Sequence, residues 1–342
     1  MSLPRVLFLS PGTEDYLLTP LLHGLRELLG ENVVDAPKHA VAYRSFPDDR
    51  PLYGRGFSVF KLLDEVDVER SRPMERALAG EFDLVVFGDM WRQWQPFAEW
   101  GKKLPASTRV VTIDAFDKPA MYPYYPKWWR RPGNWLVPRA QTRSVYLKRE
   151  LGPMTRFWRW YMLAPPPLAA RMPLNPNVRP FAFSFPEEKI VAEPRPPAAK
   201  AKLLNAHVVD PEVAARAGGE TRYLFDTEEA YYADLRASRY GITTKKGGWD
   251  CMRHYEIAAN GAVPAFRDLH RKPAECAPHG LDETNCVPYR DYDDLMRRLD
   301  AIGDEQYAAL QRGALAWARA NSTRRRAEEL LAAAGLAVPA SR

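Results

Sequence analysis

The stretch Tyr231–Leu269, YYADLRASRYGITTKKGGWDCMRHYEIAANGAVPAFRDL, decides how the rest of this chain is read. The run Arg239–Thr243 is short, apolar and of strand length. Thr243–Trp249 (TTKKGGW) is a loop with two lysines and two glycines. Cys251–Asn260 has helical spacing, with Asp250 placed as its N-cap and Gly261 as its stop. Ala262–Phe266 is a second buried strand. Strand, glycine loop, helix, strand is the unit of a parallel α/β sheet. A glycine loop running into a helix N-terminus offers free backbone N–H groups and a favourable dipole to an anion. Thr244, Lys245, Lys246, Gly247 and Gly248 are the candidate anion loop. Arg253 and Glu256 lie three residues apart on one helix face, so they suit either a ligand with phosphate and hydroxyl groups or a simple surface ion pair.

The same alternation extends in both directions. Downstream, Tyr292–Ile302 and the residues from Glu305 onward read as helices. Upstream, Lys202–Val208 is a strand, Pro211–Ala217 a helix with proline at N1, Thr221–Phe225 a strand, and Glu228–Ala237 a helix capped by Asp226 or Thr227. Further back, Arg5–Ser10 (RVLFLS) is a strand and Leu17–Leu29 recurs at helical spacing. Asn32–Asp35 is a second strand and Met74–Ala79 a short helix. Phe82–Gly88 is a buried strand, Met90–Lys103 a helix and Arg109–Asp114 a strand. Residues 40–72 read as an insertion rich in Tyr, Pro and Arg. Residues 163–200 hold a proline-rich stretch that suits a covering loop and interdomain linker. The expected organisation is therefore an α/β chain of two domains, 1–185 and 201–342, with a linker at about 165–200.

Length and composition agree. A chain of 342 residues suggests about two domains. Hydrophobic and charged fractions of 46% and 27% are ordinary for globular proteins and exclude disordered, collagenous and coiled-coil classes. No apolar run approaches the ~18 residues of a membrane span, and the N-terminus does not read as a secretory signal. The three cysteines, Cys251, Cys276 and Cys286, have no zinc-ribbon or disulfide spacing. A reducing cytoplasm is the expected location. Net charge is +6, which favours anionic partners.

The 231–269 stretch resembles the donor-binding half of GT-B glycosyltransferases, particularly exostosin-like and related bacterial families. Their pattern is carried by Tyr232, Leu235, Ser238, Gly247, Arg253, Tyr255, Glu256, Ala259, Gly261, Val263 and Pro264; Ile257 and Asn260 depart from it. The resemblance implies two Rossmann-like domains facing across a cleft. It also implies a nucleotide-sugar donor such as a UDP-sugar as co-substrate, and neither metal nor other cofactor. By the same resemblance Arg253 would contact the donor diphosphate and Glu256 the ribose, with Lys245 and Lys246 as looser phosphate contacts. The last helix would cross back to the N-terminal domain. Ile113–Asp117 and Tyr146–Leu151 (YLKREL) are similar to two blocks of bacterial glycosyltransferase-like proteins. The exostosin-like pattern leans toward inversion at the sugar.

An acceptor-side base would come from the N-terminal domain. Asp114 and Asp117 follow a strand's carboxyl end, where ligands of open α/β sheets sit; Asp89 also follows a strand, and His23 lies on the first helix. Each is equally readable as a turn, cap or helix-face residue. Segment 118–160 carries ten basic residues against one acidic, Glu150, so it holds +9 and the rest of the chain −3. It also holds ten aromatics, and Trp128, Trp129, Arg130 and Arg131 are the candidate acceptor contacts. Three readings compete: gripping a phosphate-bearing acceptor (glycan, lipid-linked, small molecule or DNA), peripheral contact with the inner face of a membrane, or plain packing with basic heads in water. The rival class is a nucleic-acid-binding protein, or a DNA-modifying glycosyltransferase, using this segment.

Overall fold

The computed structural model describes residues 3–48, 50–122, 144–152, 155, 165–169, 171 and 173–338. The candidate acceptor residues Trp128, Trp129, Arg130 and Arg131 lie outside the described residues.

Strands of three to six residues, mostly buried, form the first sheet: β1 (Val6–Leu9), β2 (Val33–Ala36), β3 (Leu84–Phe87), β4 (Arg109–Asp114), β5 (Val145–Lys148) and β6 (Val178–Pro180). Its order is β2-β1-β3-β4-β5-β6, every pair parallel, with Val6 in register with Val33 on one side and Leu84 on the other. A sheet covered on both faces needs side chains that are apolar on both, and β1 and β3 are fully buried throughout apart from Leu9. Helices α1 (Leu18–Leu29), α2 (Pro73–Leu78) and α3 (Met90–Trp100) connect the early strands, and α4 (Pro166–Ala169) precedes β6.

The second sheet has order β10-β9-β8-β7, again parallel: β7 (Lys202–Leu204), β8 (Ser238–Thr243), β9 (Val263–Arg267) and β10 (Val287–Tyr289). It is accompanied by α5 (Pro211–Ala217), α6 (Glu228–Ala237), α7 (Met252–Ala259), α8 (Tyr292–Ala301) and α9 (Asp304–Ala320). Two parallel-sheet α/β units are thus present, as the alternation of strand and helix periods implied.

Three expectations need correction. Thr221–Phe225 is not a strand: its neighbour Glu220 makes one isolated bridge to His207, and Tyr223 and Phe225 pack on Tyr231 instead of joining the sheet. Asp250 is not the cap of α7; Cys251 takes that place without a side-chain hydrogen bond. Conversely, β5, β6 and β10 were not foreseen, and the last two share a character. Both are three-residue edge strands containing proline, which an edge tolerates because one row of N–H groups is not needed there.

The chain passes between the two units twice. Phe181–Phe185 goes over, and the turn before α10 (Thr323–Ala333) comes back. The two crossings are tied side by side: Phe185 N donates to Asn321 O at 3.1 Å and Thr323 N to Phe185 O at 3.0 Å. Arg326 donates to Phe183 O at 3.2 Å and to Asn321 Oδ1 at 2.7 Å. Helix α10 then lies on α1 of the first domain, where Ala327, Leu330 and Leu331 join Leu21, Leu22 and Leu25 in one buried cluster. The approach is close because position 24 has no side chain; a Cβ on Gly24 would stand 2.0 Å from Thr323 O. No helix of the described residues is long and apolar enough to cross a membrane.

Gly24→Ala is therefore expected to force α10 off α1 and lower unfolding stability by about 1–3 kcal/mol, the usual range for overpacking a tight contact. Urea titration followed by circular dichroism checks this; an unchanged midpoint would mean that α10 does not need this contact.

A cleft between the two domains

The site is best built from the end of β5, where three consecutive side chains do three jobs. Lys148 is fully buried and pairs with Asp114 at 2.9 Å. Arg149, 1% exposed, donates to Asp250 O at 2.8 Å, Ala115 O at 3.2 Å and Glu150 Oε1 at 3.0 Å, and pairs with Asp117. Glu150 accepts from the backbone N–H groups of Trp249 (2.9 Å) and Asp250 (3.0 Å) and from Cys276 Sγ (3.3 Å). A carboxylate of the first domain thus sits on the loop that leads into α7 of the second.

This contact explains the two glycines. A Cβ on Gly247 would stand 2.3 Å from Asp117 Oδ2, and one on Gly248 2.2 Å from Glu150 Oε1. Neither glycine is at positive φ, so it is space for the opposite domain's carboxylates, not backbone freedom, that excludes a side chain here. Asp250 is buried in the same joint. It accepts from Phe183 N at 2.8 Å and Tyr255 O–H at 2.9 Å, and burial pushes its carboxyl up to about 6.

In front of this joint lies a cleft of about 670 Å³. The first domain contributes Tyr16, Leu52–Arg55 and Asp117, the crossing Phe183, and the second domain Tyr223, Tyr231, Lys246–Gly248 and Asp250–Arg253 with Glu256. Arg253 is half-buried and points its guanidinium at the N-terminal turn of α7; its hydrogen bond is to Cys251 Sγ at 3.8 Å, and it forms no ion pair among the described residues. Glu256 is 9% exposed and accepts two hydroxyl hydrogen bonds, from Ser58 at 2.5 Å and Tyr231 at 2.8 Å. Burial raises its carboxyl above the usual range. The Arg253–Glu256 pair is therefore not the exposed i,i+3 ion pair that spacing alone allowed: the guanidinium faces the cleft, and the carboxylate is committed to hydroxyl donors.

The anion loop is divided. Lys246 lines the cleft, its ammonium 3.0 Å from Tyr53 O–H. Thr244 and Lys245 instead face a separate depression of about 480 Å³ with Trp249, Arg267 and Arg271, the Lys245 ammonium 5.0 Å from the Trp249 ring.

The candidate bases are also separated by the fold. Asp117 lines the cleft with its side chain 55% exposed, held by Arg149. Asp114 does not reach it. It is fully buried and accepts from Tyr146 O–H (2.5 Å), Lys148 (2.9 Å), Trp91 Nε1 (3.0 Å) and Phe116 N (3.1 Å), which leaves it no room for an acceptor. His23 is on the other face of α1, bonded to Thr323 Oγ1 at 3.0 Å, and burial lowers its basicity. With Glu27 and Glu188 it brings three ligand-type atoms within 4.8 Å of one another, away from the cleft. Asp89 closes β3 in a left-handed conformation (φ 54°), pairs with Arg92 at 3.3 Å, and is pushed up to about 6 by burial and by Asp15.

Several cleft residues carried no sequence signal. Tyr16, Tyr53 and Arg55 lie in loops of the first domain, and Tyr223 precedes α6. Ser58, on a loop read only as an insertion, meets Glu256 across 198 positions of sequence. The signal that existed was the Tyr-, Pro- and Arg-rich composition of 40–72, a segment that also sends Val41, Ala42, Tyr43, Val59 and Phe60 into the core.

No protein-family model and no curated protein sequence matches the chain. Solved structures do match its fold, which is GT-B: two Rossmann-like domains facing across a cleft. HepE from Anabaena, solved with UDP and glucose, is similar with a TM-score of 0.54 at 10% identity, over 96% of this chain and 99% of its own. OtsA without ligand gives 0.52 at 11% identity, and trehalose-6-phosphate synthase OtsA 0.51 at 12%, both over 98% of this chain and 100% of theirs. At such identities the likeness is one of fold.

Gly248→Ala is expected to push the Glu150 carboxylate off the Trp249 and Asp250 amides. Charge-assisted bonds of this kind contribute about 1.5–3 kcal/mol each, so a drop of at least that size should appear in chemical unfolding. Unchanged stability would show that Glu150 relaxes without loss.

Proposed function

We propose that the protein is a glycosyltransferase that moves a sugar from a nucleotide-sugar donor, of the UDP-sugar kind, to an acceptor hydroxyl. The observation that carries this reading is the Arg253 guanidinium, in no salt bridge among the described residues, beside a buried Glu256 that attracts it and already accepts hydroxyl hydrogen bonds. A cation for a diphosphate and a carboxylate for a ribose stand one helical turn apart at the N-terminal end of α7. HepE, a structure of like fold that holds UDP and glucose, adds support.

In this reading the second domain binds the donor. Arg253 and Lys246 contact the diphosphate, the side-chain-free edge at Gly247 and Gly248 lets it approach the backbone, and Glu256 takes the ribose hydroxyls. Thr244 and Lys245 line a separate depression, so in this reading the loop meets the donor through Lys246, Gly247 and Gly248. The acceptor comes from the first domain. Its hydroxyl oxygen attacks the anomeric carbon as the bond to the diphosphate breaks. Asp117, the cleft-facing carboxylate among the expected bases, takes the proton. The cationic side chains and the helix N-terminus stabilise the negative charge that builds on the leaving group. That sequence of events inverts the anomeric centre. Among the described residues, nothing in the cleft favours nucleic acid as the ligand.

Calorimetry with UDP, together with UDP-sugar turnover, tests the assignment. Glu256→Gln keeps shape and loses charge, and should weaken UDP binding by about 1–2 kcal/mol. Arg253→Ala should cost more in turnover, about 2–4 kcal/mol of transition-state stabilisation. Both variants should stay folded. Wild-type affinity and turnover in both would remove the donor site as assigned.

A further inference from the structure

Two of the groups assigned to the donor are already occupied, and one loop of the opposite domain occupies both. Lys246 donates to Tyr53 O–H at 3.0 Å, and Glu256 accepts from Ser58 Oγ at 2.5 Å. We propose that the Tyr53–Lys61 loop is a built-in competitor for the donor site: the Ser58 hydroxyl takes the place of a ribose hydroxyl on Glu256, so a nucleoside diphosphate binds fully only when the loop lifts. This rests on the donor site proposed above and adds its regulation.

Three features of the loop carry the inference. The first is which partner can be exchanged. Tyr231 comes from α6 in the same domain as Glu256 and is fixed by the core, whereas Ser58 arrives from across the cleft. Ligand and loop therefore compete for Glu256 Oε1, not for the whole carboxylate.

The second is how the loop is seated. Its hydrogen bonds and ion pairs to the second domain are gathered around α6 and the turn before it, while Val59 and Phe60, next to Ser58, are buried in the core. Ser58 N donates to Glu228 Oε1 at 2.5 Å, Tyr232 O–H donates to Ser58 Oγ at 2.9 Å, and Arg55 pairs with Asp226. The Phe57 ring lies 5.8 Å from Tyr223 and 6.5 Å from Tyr231, two residues that line the cleft. The polar contacts can be taken over by a polar ligand, while the buried Val59 and Phe60 keep the far end of the loop anchored in the core.

The third is backbone. Arg55, Ser58 and Lys61 all stand at positive φ (59°, 70° and 54°), beside Gly54 and Gly56. Non-glycine residues hold that conformation only while their surroundings over-determine it, which is the property of an element with two arrangements. A loop held by contacts against its own preference leaves readily when a ligand replaces those contacts. The apparent affinity for the ligand is then the intrinsic affinity reduced by the fraction of molecules in which the loop is lifted.

The test compares UDP binding to the full chain and to Ser58→Ala, Ser58→Gly and Glu256→Gln by calorimetry, with hydrogen–deuterium exchange of the 53–61 amides. Removing the competing hydroxyl should tighten UDP binding about threefold to tenfold in both Ser58 variants. Glycine is included because it suits φ 70° and so separates the hydroxyl from backbone strain. In the wild-type protein, UDP should speed exchange across 53–61. If UDP binds wild-type protein but the Ser58 variants bind it equally or less well, or if UDP slows exchange in the loop, Ser58 is part of the receiving site and the competitor idea falls while the donor site stands. If wild-type protein does not bind UDP at all, both fall.

Discussion

Glu150 is the constraint on which the arrangement depends. A single carboxylate at the end of β5 accepts the backbone N–H groups of Trp249 and Asp250 and so fixes one domain's loop on the other domain's sheet. Arg149 beside it is buried, and its charge is met by Glu150, Asp117 and the Asp250 carbonyl. Buried charges are tolerated only when so satisfied. Both carboxylates that meet the Arg149 charge are in its own domain, and the second domain adds the Asp250 carbonyl to Arg149 and the Trp249 and Asp250 amides to Glu150. The glycines at 247 and 248 follow from it, because the carboxylates come within reach only where no Cβ stands in the way.

The same joint is reinforced by the two chain crossings. Phe181–Phe185 and Asn321–Thr323 bond to each other by backbone groups, and Arg326 ties both. Helix α10 then adds an apolar seam against α1. The cleft is bounded at its back by a polar, charge-satisfied pin and by this seam, while its front is closed by the left-handed Tyr53–Lys61 loop.

Electrostatics in the cleft depend on direction more than on count. The sequence places Lys245, Lys246 and Arg253 within nine residues, but the loop turns Lys245 outward onto Trp249 and leaves Lys246 and Arg253 facing inward. Asp114 and Asp117 are likewise three residues apart with opposite fates. Asp114 is filled by four donors inside the sheet, and Asp117 emerges beside Gly247.

The sequence by itself determined the elements whose signals are local. Apolar runs such as Val6–Leu9 and Leu84–Phe87, the helical spacing of Leu18–Leu29, and the strand–glycine loop–helix order around Thr243–Met252 come from period and backbone chemistry, and they were legible residue by residue. The cleft-facing helix with Arg253 and Glu256 was legible for the same reason, since residues three apart on a helix share a face. Only the tertiary structure decided what those residues meet. That Glu256 bonds Ser58, that Glu150 caps a loop a hundred residues away, that Thr221–Phe225 leaves the sheet to pack on Tyr231, and that Asp114 is sealed while Asp117 is not are all contacts between segments distant in sequence. No period or propensity encodes such contacts. They arise when two domains bring their polar edges together and each buried charge has to find a partner on the other side.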